Sequence, residues 1–314
     1  MISRRLIRVK VLQLLYAYFN GNNTDGLPKY EKDLQKSLEK SYDLYHLFFL
    51  LLIDVSRYAQ NKIDIYKSKM MATEADLNPN TRFVDNKVIR QLEQTEKLTV
   101  YADSNTLNWN ATPELIKHIY TVMVESDSYK AYMASPDNSY DADRKFVMNF
   151  FNEYMVDDDM LYQVLEENSI YWNDDIEFVL SMNIKTVERL KESATSVSLM
   201  NLYKNDDDRR FATDLFCKTV LHHEENEQLI RNNIKNWDLE RLAQMDLLII
   251  EQAIVEITSF ESIPVKVSLN EYIDLARFYS TDRSNAFVNG ILDKIVNQMK
   301  AEGKIKKTGR GLIE

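Results

Sequence analysis

Residues 247–257 read LLIIEQAIVEI, 262–267 read SIPVKV, 268–279 read SLNEYIDLARFY and 287–293 read FVNGILD. Ser268 followed three residues later by Glu271 has the form of a capping box opening a helix. Val288, Ile291, Leu292, Ile295, Val296 and Met299 recur at helical spacing and make the apolar stripe of another helix. Gly290 inside that stripe costs stability relative to alanine, which points to close packing or close backbone approach. Pro264 separates these helices from the apolar run before them. The C-terminal third therefore reads as successive helices.

Outward from there, the rest of the 314 residues agrees. All six glycines lie near the ends, at 21, 26, 290, 303, 309 and 311. Hairpins and phosphate-cradling loops need glycine for positive φ, so long stretches of sheet are excluded. Five prolines (28, 79, 113, 136, 264) stand singly as breaks between helices. The expected fold is all-α. No dinucleotide-binding, P-loop, nucleophile-elbow or H-E-x-x-H motif can be written, so most familiar enzyme classes fall away. The single cysteine, Cys217, rules out an intrachain disulfide and any cysteine-based zinc cluster, and suits a reducing cytoplasm. Leu44–Val55 (LYHLFFLLLIDV) is the most apolar run, too short to span a bilayer, and reads as a helix buried on most sides.

The helical pattern covers 1–20 with Ser3 as N-cap, about 29–71, about 81–99, and a helix begun by Thr112–Pro113–Glu114 and closed by Ser135–Pro136. The formal charge is −10, and between Asp137 and Glu177 twelve acids meet only Arg144 and Lys145. The first helix carries Arg4, Arg5, Arg8 and Lys10 with no acid, and residues 300–310 hold five bases against Glu302. An acidic protein thus has a basic patch at each end. The acidic run reads as a solvated face, or more sharply as a dock for a basic partner. A constant step also relates two regions: DRKF at 143–146 falls on DRRF at 208–211, Phe151 on Phe216 and Trp172 on Trp237. That pattern reads as a duplicated helical hairpin, or as ordinary resemblance between amphipathic helices.

On a helix, Arg4, Arg5 and Arg8 lie within an arc of roughly 100°, with Tyr16 on the same stripe. Guanidinium groups beside an aromatic suit single-stranded RNA, through phosphate pairing and base stacking. The same arc also fits a solvated helix start. His222 and His223 are adjacent, face different ways and have no spaced partner, so no metal site is expected there. Cys217 is read as a small core residue.

The sequence resembles the NusB family of transcription antitermination factors. The resemblance rests on IPVKVSLNEYIDLAR (263–277) and FVNGILD (287–293), with support from RRLIRVKVLQLLY (4–16) and from Phe211–Glu256. It implies a helical bundle of NusB-like type with extra helices inserted after the first helix, and no catalytic centre, cofactor or metal. On that basis residues 1–20 are the basic first helix of the core and 21–204 a helical elaboration. Residues 205–300 are the C-terminal bundle and 301–314 a mobile basic tail. The resemblance further implies binding of boxA-like single-stranded RNA of ribosomal leader transcripts. The implied partners are the ribosomal protein NusE and, indirectly, the RNA polymerase elongation complex, in the cytoplasm and away from membranes. Carried onto this chain, the RNA-binding positions are Arg4, Arg5, Arg8, Lys10, Tyr16, Arg283, Asn285 and Phe287. Val9 and Lys10 depart from the family pattern in a direction that would make the patch more basic, and Arg283 stands where relatives often carry an acid. The alternatives are an interaction module of NusB-like fold that has lost RNA binding, and a cytosine methyltransferase, whose glycine-rich cofactor domain is not seen in the sequence.

Overall fold

The computed structural model describes residues 2–21, 26–234, 243–281 and 284–312. Among the described residues there are fifteen α-helices and no strand, so the protein is all-α. In order these are α1 (Arg4–Asn20), α2 (Leu27–Lys67), α3 (Glu74–Leu77), α4 (Lys87–Glu93), α5 (Glu96–Ser104), α6 (Pro113–Glu125), α7 (Asp127–Ala134) and α8 (Tyr140–Tyr154). They continue as α9 (Asp159–Asn168), α10 (Ile176–Glu188), α11 (Asp206–Leu221), α12 (His223–Asn233), α13 (Gln244–Ser259), α14 (Val265–Tyr279) and α15 (Ser284–Ala301). No helix among the described residues is long and apolar enough to cross a membrane.

The chain divides into two compact units, Glu39–Leu202 and Ile2–Leu38 with Tyr203–Glu314. In the terminal unit, α13 is the central helix, and α1, α11, α12, α14 and α15 all pack on it. Its residues Leu248–Ile257 are buried on every side, as a helix apolar all round must be. Two carboxylates, Glu251 and Glu256, are buried with them, which is costly unless each finds donors. In the middle unit, the apolar run 44–55 of α2 is almost wholly buried against Phe151 of α8 and Leu180 of α10. Trp172 and Trp109 donate to the carbonyls of Lys40 and Leu47, fixing helix ends to that run.

Several local expectations change. Ser268 does not cap a helix: α14 starts a turn earlier, after Pro264, and the Ser268 hydroxyl is buried and donates to Glu256 Oε1 at 2.6 Å. A Cβ on Gly290 would meet nothing within 4 Å, so no close approach explains that glycine. The helix expected over 81–99 is split at Thr95, whose buried hydroxyl donates to Gln91 O and accepts from Val197 N. Ser126 similarly interrupts the helix begun at Pro113, capping α7 through Tyr129 N. Cys217 is only half-buried and donates to Glu31 at 3.0 Å; burial first, and then that bond, pushes the thiol pKa up to about 12. Residues 305–312, within the stretch read as a mobile tail, fold back over the terminal unit: Thr308 N donates to Glu261 O and Lys307 Nζ to Phe260 O, both at 3.0 Å. Trp237 and the rest of WDLERL, like Arg283, lie outside the described residues.

Candidate nucleic-acid interface

The first helix is set by its own sequence. Ser3 Oγ accepts from Leu6 N at 3.3 Å, and Leu6, Ile7, Val11, Leu12 and Leu15 form the buried stripe that seats α1 on α11 and α13. What remains exposed then depends on where each basic residue falls relative to that stripe.

Arg8 falls on it, one and two turns before Leu12 and Leu15, and is buried rather than presented to RNA. Its Nε and Nη2 each donate to Glu256 at 2.7 Å in a two-pronged pair, and Nη1 lies 3.4 Å from Glu271. Glu256 also accepts from Ser268 and from Tyr272 OH at 2.9 Å, and Gln252 donates to the Arg8 carbonyl at 3.0 Å. Burial alone would lower the guanidinium pKa, but the bonds and charge of Glu256 override it and hold it above its ordinary value. Burial and the neighbouring carboxylate raise the Tyr272 phenol well above its usual range. The expected arc of three arginines is thus an arc of two plus a core ion pair. Lys10 and Val9 are buried as well, so neither adds charge to the surface. A signal for this was present in the sequence: Arg8 shares the apolar phase of its helix, and Glu256, like Glu251, sits among the apolar residues of 247–257.

Arg4 and Arg5 remain on the outside. Arg4 Nε donates to Asp208 at 2.8 Å with its guanidinium 5.0 Å from the Phe211 ring, and its side chain keeps 33 % of its surface. Arg5 is more exposed and lies 3.4 Å from Asp274, a solvent-facing pair worth about 1 kcal/mol or less and readily exchanged for a phosphate. Tyr16 is 44 % exposed three turns further on. Beside Arg4 opens a cleft of about 560 Å³ that Lys204, Arg310, Ser262 and Thr308 also line, together with Asp207 and Asp208. At the other proposed edge, the start of α15, Ser284 is buried and donates to Asp246, while Asn285 and Phe287 are half-buried.

Sequence reasoning missed two arrangements. His223 Nδ1 pairs with the buried Glu251 at 2.9 Å, which raises the imidazole pKa although burial opposes it. Within the acidic run, Asp143 and Asp175 are buried polar groups and Asp158 caps α9 through Leu161 N, so these three acids serve the fold.

The NusB family model matches residues 159–297. The chain is 42 % identical over 105 residues to "Transcription antitermination protein NusB" of Salinibacter ruber, covering 33 % of this chain and 66 % of that protein. It is 45 % identical over 85 residues to the protein of the same description from Chloroherpeton thalassium, covering 27 % and 40 %, respectively. Against that of Natranaerobius thermophilus it is 35 % identical over 95 residues, covering 30 % of this chain and 68 % of the relative. The chain thus spans between 40 and 68 % of these relatives' length. No solved structure matches it. Helices α11–α15, on which the basic first helix is seated, fall almost wholly within the matched segment, and the chain belongs to the NusB family.

Proposed function

We propose that this protein is a transcription antitermination factor that binds boxA-type leader RNA through α1, together with NusE, in support of ribosomal RNA transcription. The observation that carries this reading is the surface of α1: Arg4, Arg5 and Tyr16 stay accessible on a helix whose residues Leu6–Leu12 and Leu15 are buried in the bundle. Arg5 and Arg4 would neutralise phosphates, with Lys204 and Arg310 in the adjoining cleft, and Tyr16 would give a plane for an unstacked base. Asn285 and Phe287 border the same task from α15, and Arg283 is assigned to it by resemblance alone. Residues 1–20 and 205–300 form the working core in this reading, and 21–204 elaborate it. RNA polymerase is reached through the RNA and NusE. Binding energy is the whole mechanism, so no residue is assigned a catalytic step.

The test is a salt titration of binding to a boxA RNA and a scrambled control, with and without NusE. Preference for boxA that strengthens with NusE is expected, with affinity falling roughly tenfold or more over a few-fold rise in salt. Arg4→Ala with Arg5→Ala should remove about half of that salt dependence, leaving the share of Lys204 and Arg310. Equal weak binding to both RNAs, unmoved by NusE or by the double substitution, would sink the proposal.

A further inference from the structure

The terminal unit carries a second recess, remote in sequence from α1. It is a groove of about 770 Å³ bounded by the first turn of α14, the last turns of α15 and the returning chain 305–312. Its apolar surface comes from Val265, Leu269, Val296, Ile305 and Leu312. Four lysines line it, Lys266, Lys300, Lys306 and Lys307, against the single acid Asp293.

Two features set this groove apart. Lys266, Lys300 and Lys306 are exposed and make no ion pair among the described residues, and Asp293 is the one acid beside them in the groove. In a chain of net charge −10, three cations left unneutralised around apolar side chains make a local positive field over a surface that gains by being covered. The outer wall is also a built element. Lys304 N donates to Met299 O, Lys307 Nζ to Phe260 O and Thr308 N to Glu261 O, and a short 3-10 turn follows at Gly309–Leu312. Gly311 is pressed onto the Glu261 carbonyl, where a Cβ would stand only 1.8 Å from the oxygen, so only glycine permits this docking.

We propose that this groove is a docking site for an acidic peptide segment of a partner protein, one that alternates carboxylates with leucine-sized side chains. The apolar floor would take the aliphatic groups while Lys266, Lys300 and Lys306 pair with the carboxylates at the rim. Nucleic acid fits less well. No aromatic ring and no guanidinium lines the groove, so bases would find no stacking plane, and phosphates would leave the apolar floor uncovered.

Fluorescence anisotropy on the full chain tests this with three labelled probes: a synthetic peptide of glutamate and leucine, the same peptide with lysine for glutamate, and single-stranded oligouridylate. The acidic peptide should bind, and the basic one should not. Joint reversal by Lys266→Glu, Lys300→Glu and Lys306→Glu should weaken the acidic peptide at least about tenfold and restore binding of the basic one. These three side chains are exposed, so the fold should survive their reversal. Gly311→Val lifts the wall and should weaken the acidic peptide as well, with helicity and melting of the unit unchanged. Equal binding of both peptides, no binding of the acidic one, indifference to either set of substitutions, or displacement of the peptide by oligouridylate would each overturn the proposal.

Discussion

The middle and terminal units set a similar run of three helices in different surroundings. Moving along the chain by the step that takes Asp143 to Asp208, α8 and α9 fall on α11 and α12 to within two residues at each end, and α10 overlaps α13, which runs on further. In both units the first helix of the trio packs on the third. In both, a buried aspartate on the first helix holds the start of a neighbour: Asp143 accepts from Lys87 N at the head of α4, and Asp208 from the Arg4 side chain at the head of α1. Phe146 stacks on Tyr132, with Arg82 over that ring, while Arg4 lies over Phe211 itself. The means of holding then diverge. The middle unit satisfies several buried groups with neutral partners, with His46 stacked on Tyr101, Tyr45 bonded to Thr186 and Asp143 accepting from Lys87 N and the Tyr132 hydroxyl, whereas the terminal unit pairs its buried Glu256 and Glu251 with Arg8 and His223. A common helical frame therefore does not fix how polar groups inside it are satisfied, and the two units should answer differently to mutation and to acid.

The sharpest separation should come from Arg8→Ala. It strands a fully buried Glu256 carboxylate, a loss of about 3–5 kcal/mol, where the same truncation at exposed Arg5 should cost under about 1 kcal/mol. Hydrogen exchange in α13 and α14 should accelerate while Trp109 and Trp172, both in the middle unit, keep their native fluorescence. Loss of both signals together would mean that the two units do not unfold separately. Arg8→Met, which removes charge and keeps bulk, should be no rescue, because the carboxylate remains unpaired.

Acid should act on the middle unit next. Burial is the main cause that lowers the His46 imidazole to about 4, with the ring nitrogen bonded to Tyr42 O at 2.8 Å. A folded value below the ordinary 6.5 contributes stability that is present above pH 6.5 and lost as pH falls from 6.5 towards 4. The shift corresponds to about 3 kcal/mol. Denaturant titrations at pH 7 and pH 4.5, read by tryptophan fluorescence, should show that loss in the native protein and its absence in His46→Gln. Equal losses in both would place the acid response elsewhere.

These contrasts also mark how far the sequence could be read. Glycine confined to the ends, the stripe Val288–Met299 and the apolar run 44–55 specify helices because they depend on backbone freedom and on period, both local properties. The arginines of α1 were legible as a cluster, but not their fates, since a helical arc tells which residues are neighbours and not which element covers them. Arg8 was the readable exception: it lies in phase with Leu12 and Leu15, and an acid waits in the apolar run of α13. Glu251 with His223, and Asp143 with Lys87 N, join residues far apart in the chain, and no spacing announces them. The misread capping box at Ser268 has the same origin, a local motif overruled by the demand of Glu256 for donors.

The paired aspartates give a smaller test of the comparison. Asp143→Ala leaves Lys87 N and the Tyr132 hydroxyl without their acceptor inside the unit, a cost of about 2 kcal/mol. Asp208→Ala should cost about 1 kcal/mol, because Arg4 can turn to water. Urea midpoints of the two variants measure the difference. Freed from its carboxylate, Arg4 should also bind phosphate better, so Asp208→Ala should raise RNA affinity up to about fivefold. Equal stability losses would mean that the repeated aspartate is held alike in both settings.

The smallest effect has the opposite sign to the acid response of His46. The bond to Glu251 is the main cause raising the His223 pKa, and burial raises that of Glu251. A folded imidazole value above 6.5 stabilises fully below pH 6.5 and ceases to as pH rises through that value. Part of the bond survives, since a neutral imidazole still donates through Nδ1, while one Glu251 oxygen, Oε1, has no bonding partner to compensate. His223→Gln should therefore cost about 1 kcal/mol more at pH 6 than at pH 9, measured by exchange of α12 and α13 amides. Between pH 6.5 and 4, acid should loosen the middle unit through His46 while leaving the His223–Glu251 pair charged and intact until the carboxylate takes a proton. A His223→Gln cost that does not vary with pH would mean that the imidazole is neutral throughout, and that the terminal unit, like the middle one, buries its histidine as a hydrogen-bonding group and not as a charge.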